Sequence, residues 1–449
     1  MSEVFALGDV ADVVAGVGFP KDMQGGQDGV IPVFKVGDIS AAWLQGKSLL
    51  NDSRNYLSAE KAKSLGKCVS AGATVFAKIG EALRLNRRVM LGCAALVDNN
   101  VMRLVPDQTK VTPKYLYYFM QTVDMGKLSR STTVPSIRKS DVVDIAIPVP
   151  TLAAQVKAVA ELEKQFSRLD EAVANLQRVK ANLKRYKASV LKAAVEGRLV
   201  ETEATLARRE GRTYETGEQL LQRVLEERRA KWAGKGKYKE PVAQTAEITT
   251  AVPDGWTSAT VDQLGSVQLG KMLDNQKHTA GVPHRYLRNI NVRWGTFDVS
   301  DVFEMNFEAD ELERFSVRAG DVLVCEGGEP ARAAVWRSKQ TDVKYQKALH
   351  RVRFDGAYLS DLLVIALEHL AKSGALDELY GGSTIKHFTR ETFVKLVLSV
   401  PPVAEQIRIV AEVDRHLSIV REVEAEVDTN LKRAQALRQA TLAKAFAVN

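Results

Sequence analysis

The chain repeats itself at a distance of about 250 residues, and this repeat limits the folds that it can adopt. Residues 149–155 (Val-Pro-Thr-Leu-Ala-Ala-Gln) recur as residues 400–406 (Val-Pro-Pro-Val-Ala-Glu-Gln), which places the two glutamines 406 − 155 = 251 positions apart. Each segment precedes a long stretch with apolar residues at helical spacing. Solenoid repeats run to only tens of residues. We therefore predict two whole domains, each followed by its own helix.

Further positions match at two offsets. The offset of 251 also pairs Thr133 with Thr384 and Leu191 with Leu442. Upstream the offset is 319 − 71 = 248, and the matching positions are Ala71-Gly72 with Ala319-Gly320, Glu81 with Glu329, Arg84 with Arg332, and Arg103 with Arg351. A tandem pair can approach two-fold symmetry within one chain, as DNA-binding dimers do with two chains. We therefore predict pseudo-two-fold symmetry.

Composition narrows the functional class. A chain of 449 residues, 45% hydrophobic and 26% charged, can bury the cores of two or three ordinary domains. The formal charge of +8 and the pI near 9.2 suit a polyanionic partner.

Cysteine and histidine usage favours an intracellular protein without a bound metal. The three cysteines (Cys68, Cys93 and Cys325) form no Cys-x-x-Cys pair, and the six histidines are scattered. No apolar run reaches the length of a membrane span, and the first residues do not resemble a signal peptide. We expect a cytoplasmic protein with no metal site.

Residues 1–150 and 255–400 have the same order of short β-rich runs and one apolar helix, which predicts two α+β domains. The predicted elements are strands at 30–36 and 73–79 with a helix at 114–120, and strands at 284–288 and 321–324 with a helix at 358–370. Residues 201–254 are expected to form a linker that carries an amphipathic helix at 215–232. A connector rich in Gly, Lys and Pro follows at 234–241.

The predicted spacer helices at 151–200 and 401–449 carry a narrow apolar stripe flanked by charge, which is typical of a coiled-coil seam. The seam consists of Val159, Leu162, Phe166, Leu169, Val173, Leu176 and Leu183 in the first helix, and of Val410, Val413, Leu417, Val420, Val427 and Leu431 in the second. Neither helix can bury its seam alone. We predict that the two pair as an antiparallel coiled coil.

Two catalytic alternatives carry weak signals. Residues 41–48 fit the loose phosphate-loop pattern up to Gly46-Lys47-Ser48, but Trp43 fills the bend where glycine is needed. Asp321, Asp342 and Lys344 resemble the acidic-acidic-lysine set of many nucleases, a spacing that also arises by chance. The sequence therefore predicts a binding protein with no catalytic residues, and a nuclease or NTPase remains the alternative.

Basic residues near the predicted turns of each domain are the candidate DNA contacts. They are Lys78, Arg84, Arg87, Arg88, Arg138 and Lys139 in the first domain, and Arg288, Arg293, Arg332, Arg337, Lys347 and Lys386 in the second. Arg and Lys contact phosphates for position and guanine edges for sequence. Polar side chains that could contact bases are Asn86, Asn99, Asn100, Gln346 and His387.

The order of these segments resembles the specificity subunits of type I restriction-modification systems. The resemblance covers nearly the whole chain and rests on residues 7–11, 31–34, 217–221, 236–241 and 286–292, and on both proline-to-glutamine segments. The family usually has an acidic residue at the position of Ala154. The second copy has the acidic Glu405 at this position.

The resemblance implies that 1–150 and 255–400 are target-recognition domains, each reading half of a bipartite, asymmetric DNA site. The paired helices would set the spacing and dock two methyltransferase subunits, and restriction subunits would complete the complex. S-adenosylmethionine, ATP and magnesium would belong to those partners. A coiled-coil scaffold without DNA binding is a further alternative.

Overall fold

The structure is a computed structural model that describes residues 3–447, apart from 28, 130–133, 235, 245–251, 273–280, 340–341, 355 and 383–385. The matched residues Thr133 and Thr384 lie outside the described residues. The chain divides into two compact units, the first formed by Met1–Arg178 with Val427–Asn449 and the second by Val179–Glu426. Each unit therefore contains one predicted domain and a part of each long helix.

The first unit is built on a five-stranded sheet with the order β2-β9-β6-β7-β4, beside a three-stranded sheet β5-β3-β8 and the pair β1-β10. The strands are β1 (Glu3–Ala6), β2 (Ala11–Ala15), β3 (Ile31–Phe34), β4 (Leu49–Leu50), β5 (Tyr56–Leu57), β6 (Thr74–Ala77), β7 (Arg88–Leu91), β8 (Leu96–Val97), β9 (Val101–Pro106) and β10 (Ala146–Val149). The helices are α1 (Leu7–Val10), α2 (Val36–Leu44), α3 (Ala59–Leu65), α4 (Glu81–Arg84), α5 (Pro113–Met120), α6 (Lys139–Val143) and the long α7 (Leu152–Val195).

The second unit has a four-stranded sheet β12-β20-β17-β18, a three-stranded sheet β16-β13-β19, and the pairs β11-β21 and β14-β15. The strands are β11 (Thr257–Thr260), β12 (Gly265–Leu269), β13 (Val282–Leu287), β14 (Val292–Arg293), β15 (Thr296–Phe297), β16 (Phe303–Phe307), β17 (Val322–Cys325), β18 (Ala333–Val335), β19 (Lys344–Tyr345), β20 (Leu349–Phe354) and β21 (Val397–Val400). The helices are α8 (Glu203–Glu210), α9 (Gly217–Ala230), α10 (Val261–Leu264), α11 (Ala309–Arg314), α12 (Ser360–Ser373), α13 (Arg390–Val394) and the long α14 (Val403–Ala445).

The sheets of the two units follow the same plan. The run β2-β9-β6-β7 of the first unit corresponds to β12-β20-β17-β18 of the second, and β5-β3-β8 corresponds to β16-β13-β19. In both units the central strand of the smaller sheet has one antiparallel and one parallel neighbour. The prediction of two α+β domains is therefore confirmed.

Matched residues hold the same structural positions in both copies. The buried side chain of Gln155 accepts from the Thr112 N–H (2.8 Å) and donates to the carbonyl of Lys110 (2.8 Å). Gln406 accepts from the Leu359 N–H (2.9 Å) and donates to the carbonyl of Ala357 (3.1 Å). Each glutamine thus satisfies backbone groups just before the apolar helix of its domain, α5 or α12, which would otherwise be left unpaired.

The matched arginines and glycines are also structural. Arg103 on β9 donates to the carbonyl of Lys67 (3.5 Å), and Arg351 on β20 donates to the carbonyl of Ser316 (2.7 Å). These carbonyls follow α3 and α11, so each arginine anchors the chain after the corresponding helix. Gly72 and Gly320 have φ values of 93° and 94°, which glycine adopts without steric cost.

The long helices run antiparallel to each other within each unit. In the first unit Arg438 of α14 donates to Asp170 of α7 (2.7 Å), and in the second the hydroxyl of Tyr186 lies 2.6 Å from Nδ1 of His416. Early residues of one helix therefore face late residues of the other. The predicted seam residues that are buried are Val159, Leu162, Phe166, Val413, Val420 and Val427. The half-buried ones are Leu169, Val173, Leu176, Leu183, Val410, Leu417 and Leu431.

The segment between the repeats is integrated into the second unit more closely than a linker would be. The amphipathic helix is present as α9, and its Leu220 and Val224 are buried in the core of that unit. The sequence did not predict α8, whose first N–H, that of Glu203, donates to the buried carboxylate of Glu405 (2.8 Å). Glu405 also accepts from Nε1 of Trp256 (2.9 Å), so 201–230 is part of the fold and not a free connector.

Candidate nucleic-acid interface

A tight turn after β6 lies beside a second segment of the first domain. The N–H of Lys78 donates to the carbonyl of Asn100 (2.8 Å), and the Lys78 carbonyl accepts from the N–H of Ile137 (3.0 Å). The N–H of Gly80 donates to the carbonyl of Pro135 (2.7 Å). The turn at 78–87 and the segment at 134–139 therefore form one surface.

The second domain builds an equivalent surface, and two of these backbone hydrogen bonds recur in it. The N–H of Glu326 donates to the carbonyl of Ala348 (2.9 Å), and the Glu326 carbonyl accepts from the N–H of Phe388 (2.7 Å). Glu326 is the counterpart of Lys78, because 326 − 78 = 248, and Phe388 is the counterpart of Ile137, because 388 − 137 = 251. We call this surface, formed by 78–87 with 134–139 and by 326–332 with 386–390, the paired-turn surface.

A glycine and an ion pair shape the turn in both copies. Gly80 and Gly328 have φ values of 85° and 81°, in the left-handed region that favours glycine. The next residue, Glu81 or Glu329, pairs with an arginine three positions later, with nitrogen–oxygen distances of 2.9 Å for Arg84 and 2.8 Å for Arg332. The glutamate and the arginine are matched positions of the sequence repeat, and their ion pair recurs in both turns.

The side chains on this common backbone differ between the copies. Lys78 of the first domain is replaced by Glu326 in the second, which reverses the charge at one backbone position. At the neighbouring segment Pro135 and Ser136 correspond to Lys386 and His387. The two copies therefore share backbone hydrogen bonds in this surface and differ in the charge of its side chains.

In the first domain most of the predicted basic residues lie on the paired-turn surface. Arg84, Arg138 and Lys139 are exposed, and Lys78 and Arg87 are half-buried. The guanidinium of Arg87 lies 5.8 Å from the ring centroid of Trp43, a cation–π geometry that leaves part of the group in solvent.

Arg88 requires a correction, because it belongs to the core. Its side chain is 1% exposed and donates to the carbonyls of Met120 and Val123, the latter at 2.9 Å. It also donates to Oδ1 of Asn86 (2.9 Å), which in turn accepts from the N–H of Met125 (2.8 Å). Burial lowers the pKa of Arg88 to about 10. Arg88 therefore positions the turn, and its donors are used within the domain.

In the second domain the predicted residues are divided between the paired-turn surface and other places. Lys347 and Lys386 are exposed, and the latter pairs with Asp377 (2.9 Å). Lys347 is next to Ala348, the carbonyl partner of the Glu326 turn. Arg332 is on the turn and also donates to the carbonyl of Asn289 (2.8 Å).

Three further arginines are engaged elsewhere in the second domain. Arg288 donates to the Asp301 carboxylate (2.7 Å), with its guanidinium 3.7 Å from the ring centroid of Phe303. Arg293 pairs with Asp298 at 3.7 Å. Arg337 pairs with Asp361 in the first turn of α12, so it lies outside the paired-turn surface.

Sequence reasoning missed one basic residue that the repeat could have identified. Arg390 begins α13 and corresponds to Lys139, which begins α6, because 390 − 139 = 251. Its Nε–H donates to the carbonyl of Val267 (3.0 Å), and the residue is exposed. The two positions place a basic residue at the same corner of both domains.

The weak catalytic motifs adopt other structures. Gly46 (φ 71°) follows α2, and the N–H of Lys47 donates back to the carbonyl of Ala42, so a helix ends at this motif instead of beginning there. Asp321 is buried in a bidentate ion pair with Arg353, with both distances 2.7 Å. Asp342 pairs with His284. Neither motif has the geometry that its chemistry needs.

Among the residues outside the masked gaps, no group of three His, Cys, Asp or Glu side chains is placed to hold a metal ion. Over the same ranges no helix is both long and apolar enough to cross a membrane.

The chain is similar to proteins of known class. The family profile described as "Type I restriction modification DNA specificity domain" matches residues 1–184. The "Type I restriction enzyme EcoKI specificity subunit" of Escherichia coli (strain K12) is 26% identical over 185 residues, 40% of this chain and 40% of that protein. The matched stretch thus spans well under two thirds of the relative's length.

Solved structures extend the likeness of the fold to nearly the whole chain. A chain from work on "complex assembly and conformational transition of the type I R-M system" superposes with a TM-score of 0.64 at 15% identity, covering 99% of this chain and 97% of its own. The HsdS subunit from Thermoanaerobacter tengcongensis gives a TM-score of 0.55 at 16% identity, with coverage of 99% and 96%. Residues 1–184 are therefore similar to the type I restriction-modification DNA specificity domain, and nearly the whole chain shares the fold of these solved structures.

Proposed function

We propose that this chain is a type I restriction-modification specificity subunit. It recognises a bipartite, asymmetric DNA site, and each α+β domain reads one half through its paired-turn surface. The supporting observation is that one backbone arrangement occurs twice with different side chains. A common backbone would position both domains on DNA in the same way. Different side chains, such as Lys78 against Glu326, would select different bases.

The basic residues on and beside the paired-turn surface fit two kinds of contact. Exposed Arg84, Arg138 and Lys139 in the first domain, Lys386 in the second, and Lys347 beside the second turn have the charge to contact phosphates. Lys78 and Arg87 are half-buried and held by the turn, which suits contacts that require a fixed position, such as base edges.

Each long helix has an exposed apolar residue at which one of two identical partner subunits could dock. Val156 on α7 is 59% exposed and Ile407 on α14 is 55% exposed, and the two occupy the same place in the repeat because 407 − 156 = 251. We infer that each contacts one copy of the methyltransferase subunit. Restriction subunits would join the same complex, and S-adenosylmethionine, ATP and magnesium would bind to the partners.

The test is footprinting of the complex with its methyltransferase subunit on DNA that carries the methylated motif. We expect two separate protected half-sites. The variant Lys78→Glu should weaken protection of one half-site and leave the other unchanged. Lys63→Glu is the matched control, because Lys63 is exposed on α3, away from the turn.

Each alternative function predicts a different outcome. A scaffold that binds only protein would assemble with the methyltransferase and protect no DNA. A nuclease or NTPase would show magnesium-dependent turnover with the isolated chain, which would contradict a purely recognition role. Equal weakening of both half-sites by Lys78→Glu would argue against one domain per half-site.

A further inference from the structure

The end of α14 closes the core of the first unit with an aromatic cluster. Phe446 is buried, and its ring centroid lies 5.0 Å from that of Tyr115 and 5.7 Å from that of Phe119, both on α5. Both contacts are edge-to-face, an arrangement that aromatic rings prefer. The three rings fill the space between the helix end and the domain.

The second unit lacks all three rings at the same positions. The counterpart of Phe446 is Val195 near the end of α7, because 446 − 251 = 195. The apolar helices begin at Pro113 and Ser360, an offset of 360 − 113 = 247. By that offset Tyr115 and Phe119 correspond to Leu362 and Ala366.

A cavity occupies the place of the missing rings. It has a volume of about 470 Å³ and is bordered by Val195, Leu362 and Ala366, with the buried side chains of Trp256 and Tyr358 contributing to its wall. Sites for small molecules typically enclose about 300–1,000 Å³ and are mostly apolar with a few polar groups. This cavity meets both conditions.

The charged residues that border the cavity are neutralised by neighbours. Lys395 pairs with Glu391 at 3.0 Å, and Glu196 pairs with Lys192 at 3.9 Å. An ionised ligand would find no unpaired opposite charge in these two pairs, and its transfer into an apolar cavity would be costly. The lining therefore favours a neutral ligand.

The turn that follows α7 packs closely beside the cavity. Val195 is the last residue of α7, and the chain turns there through Glu196 and Gly197. Gly197 has φ 67°, and a Cβ there would lie 2.5 Å from Pro253 and 3.0 Å from Trp256. The turn after α7 is therefore closely packed against Pro253 and Trp256.

We propose that this cavity of the second unit binds a small, neutral aromatic molecule of the size of indole. Apolar cavities in proteins take up aromatic rings such as benzene, because the ring restores the dispersion contacts that the cavity lacks. The inference does not depend on the proposed DNA recognition, since none of its residues lies on the paired-turn surface.

The experiment titrates the full-length chain with indole and follows the methyl signals of alanine, valine and leucine by NMR. We expect saturable shifts, with nuclear Overhauser contacts from indole to the methyl groups of Val195, Leu362 and Ala366. The variants Val195→Phe, Ala366→Phe and their combination copy the rings of the first unit. Each should weaken indole binding by roughly tenfold or more, since a ring already occupies the space.

The control is Ala188→Phe, which adds the same ring at an exposed position of α7. It should bind indole as the unmodified chain does. The proposal is overturned if the unmodified chain shows no saturable binding, or if a folded Ala366→Phe variant binds indole equally well. Overhauser contacts to other methyl groups alone would also overturn it, and that readout does not depend on any variant folding.

Discussion

At the scale of single residues, several positions that are identical in the two copies hold equivalent structural contacts, and the paired-turn surface carries side chains that differ in charge. Gln155 and Gln406 satisfy equivalent backbone groups, and the Glu81–Arg84 pair recurs as Glu329–Arg332. By contrast, Lys78 and Glu326 share their backbone hydrogen bonds and differ in charge. The repeat could be read from the sequence, but the burial of Arg88 could not, because its carbonyl partners are more than 30 residues away in the chain.

Gln155 and Gln406 should contribute similar amounts to the free energy of unfolding. Replacing Gln155 or Gln406 by Ala removes three hydrogen bonds and leaves buried backbone groups unpaired. We expect each variant to lose about 2–4 kcal/mol of unfolding free energy in denaturant titrations. Gln165→Ala, at an exposed position of α7, should lose less than about 0.5 kcal/mol. Equal effects of Gln155→Ala and Gln165→Ala would contradict this role.

A buried histidine should make the second unit sensitive to acid. His350 is fully buried, and its Nε2 lies 2.8 Å from the carbonyl of Phe388. Burial lowers the pKa of His350 from 6.5 to about 4. A lowered pKa in the folded state means that stability is present above pH 6.5 and is lost as the pH falls towards 4, by up to about 3 kcal/mol.

The variant His350→Gln isolates this effect, because glutamine can still donate to the carbonyl and does not titrate. The free energy of unfolding should fall more steeply between pH 6.5 and 4.5 in the unmodified chain than in the variant. Burial raises the pKa of Glu405, so this residue makes the folded state more stable as the pH falls, which is opposite to the effect of His350. Glu405 is present in both proteins, so its contribution cancels when their pH profiles are compared. Parallel pH profiles would exclude His350 as the cause.

At the scale of elements, the helix period predicts the seam, because burial of one face of a helix imposes that period. None of the predicted seam residues is exposed. The same pattern could not show that α9 packs into the core of the second unit or that α8 exists, since an amphipathic helix has one apolar face whether it covers a domain or a partner. That choice depends on tertiary contacts such as the buried Glu405–Trp256 hydrogen bond.

Charges placed in the seam should disrupt it. Leu169→Asp with Leu176→Asp introduces two carboxylates at half-buried positions of α7, where they would lose hydration without gaining partners. We expect loss of assembly with the methyltransferase, or unfolding of the first unit, measured by size-exclusion chromatography and circular dichroism. Ala172→Asp with Ala174→Asp adds the same charges at exposed positions and should assemble normally. Normal assembly of the first variant would show that the seam does not stabilise the subunit.

At the scale of the whole molecule, we propose that the two domains recognise DNA and that the long helices set the spacing between the half-sites. Removing seven residues from each helix, 173–179 and 424–430, deletes about two turns, or about 10 Å of helix. At 3.4 Å per base pair we expect the preferred gap between half-sites to shorten by about three base pairs. Both half-sites should stay unchanged. If the gap is unaltered, the long helices do not set the spacing between the half-sites.

The central claim is that this one chain selects a DNA sequence in two separate parts. The most direct measurement maps methylated motifs across the host genome with the gene intact, with the gene deleted, and with the Lys78→Glu variant. We predict a motif of two short halves around an unspecified gap, absent after deletion and altered in one half by the variant. Methylation that is unchanged by deletion of the gene, or a motif without a gap, would contradict the account.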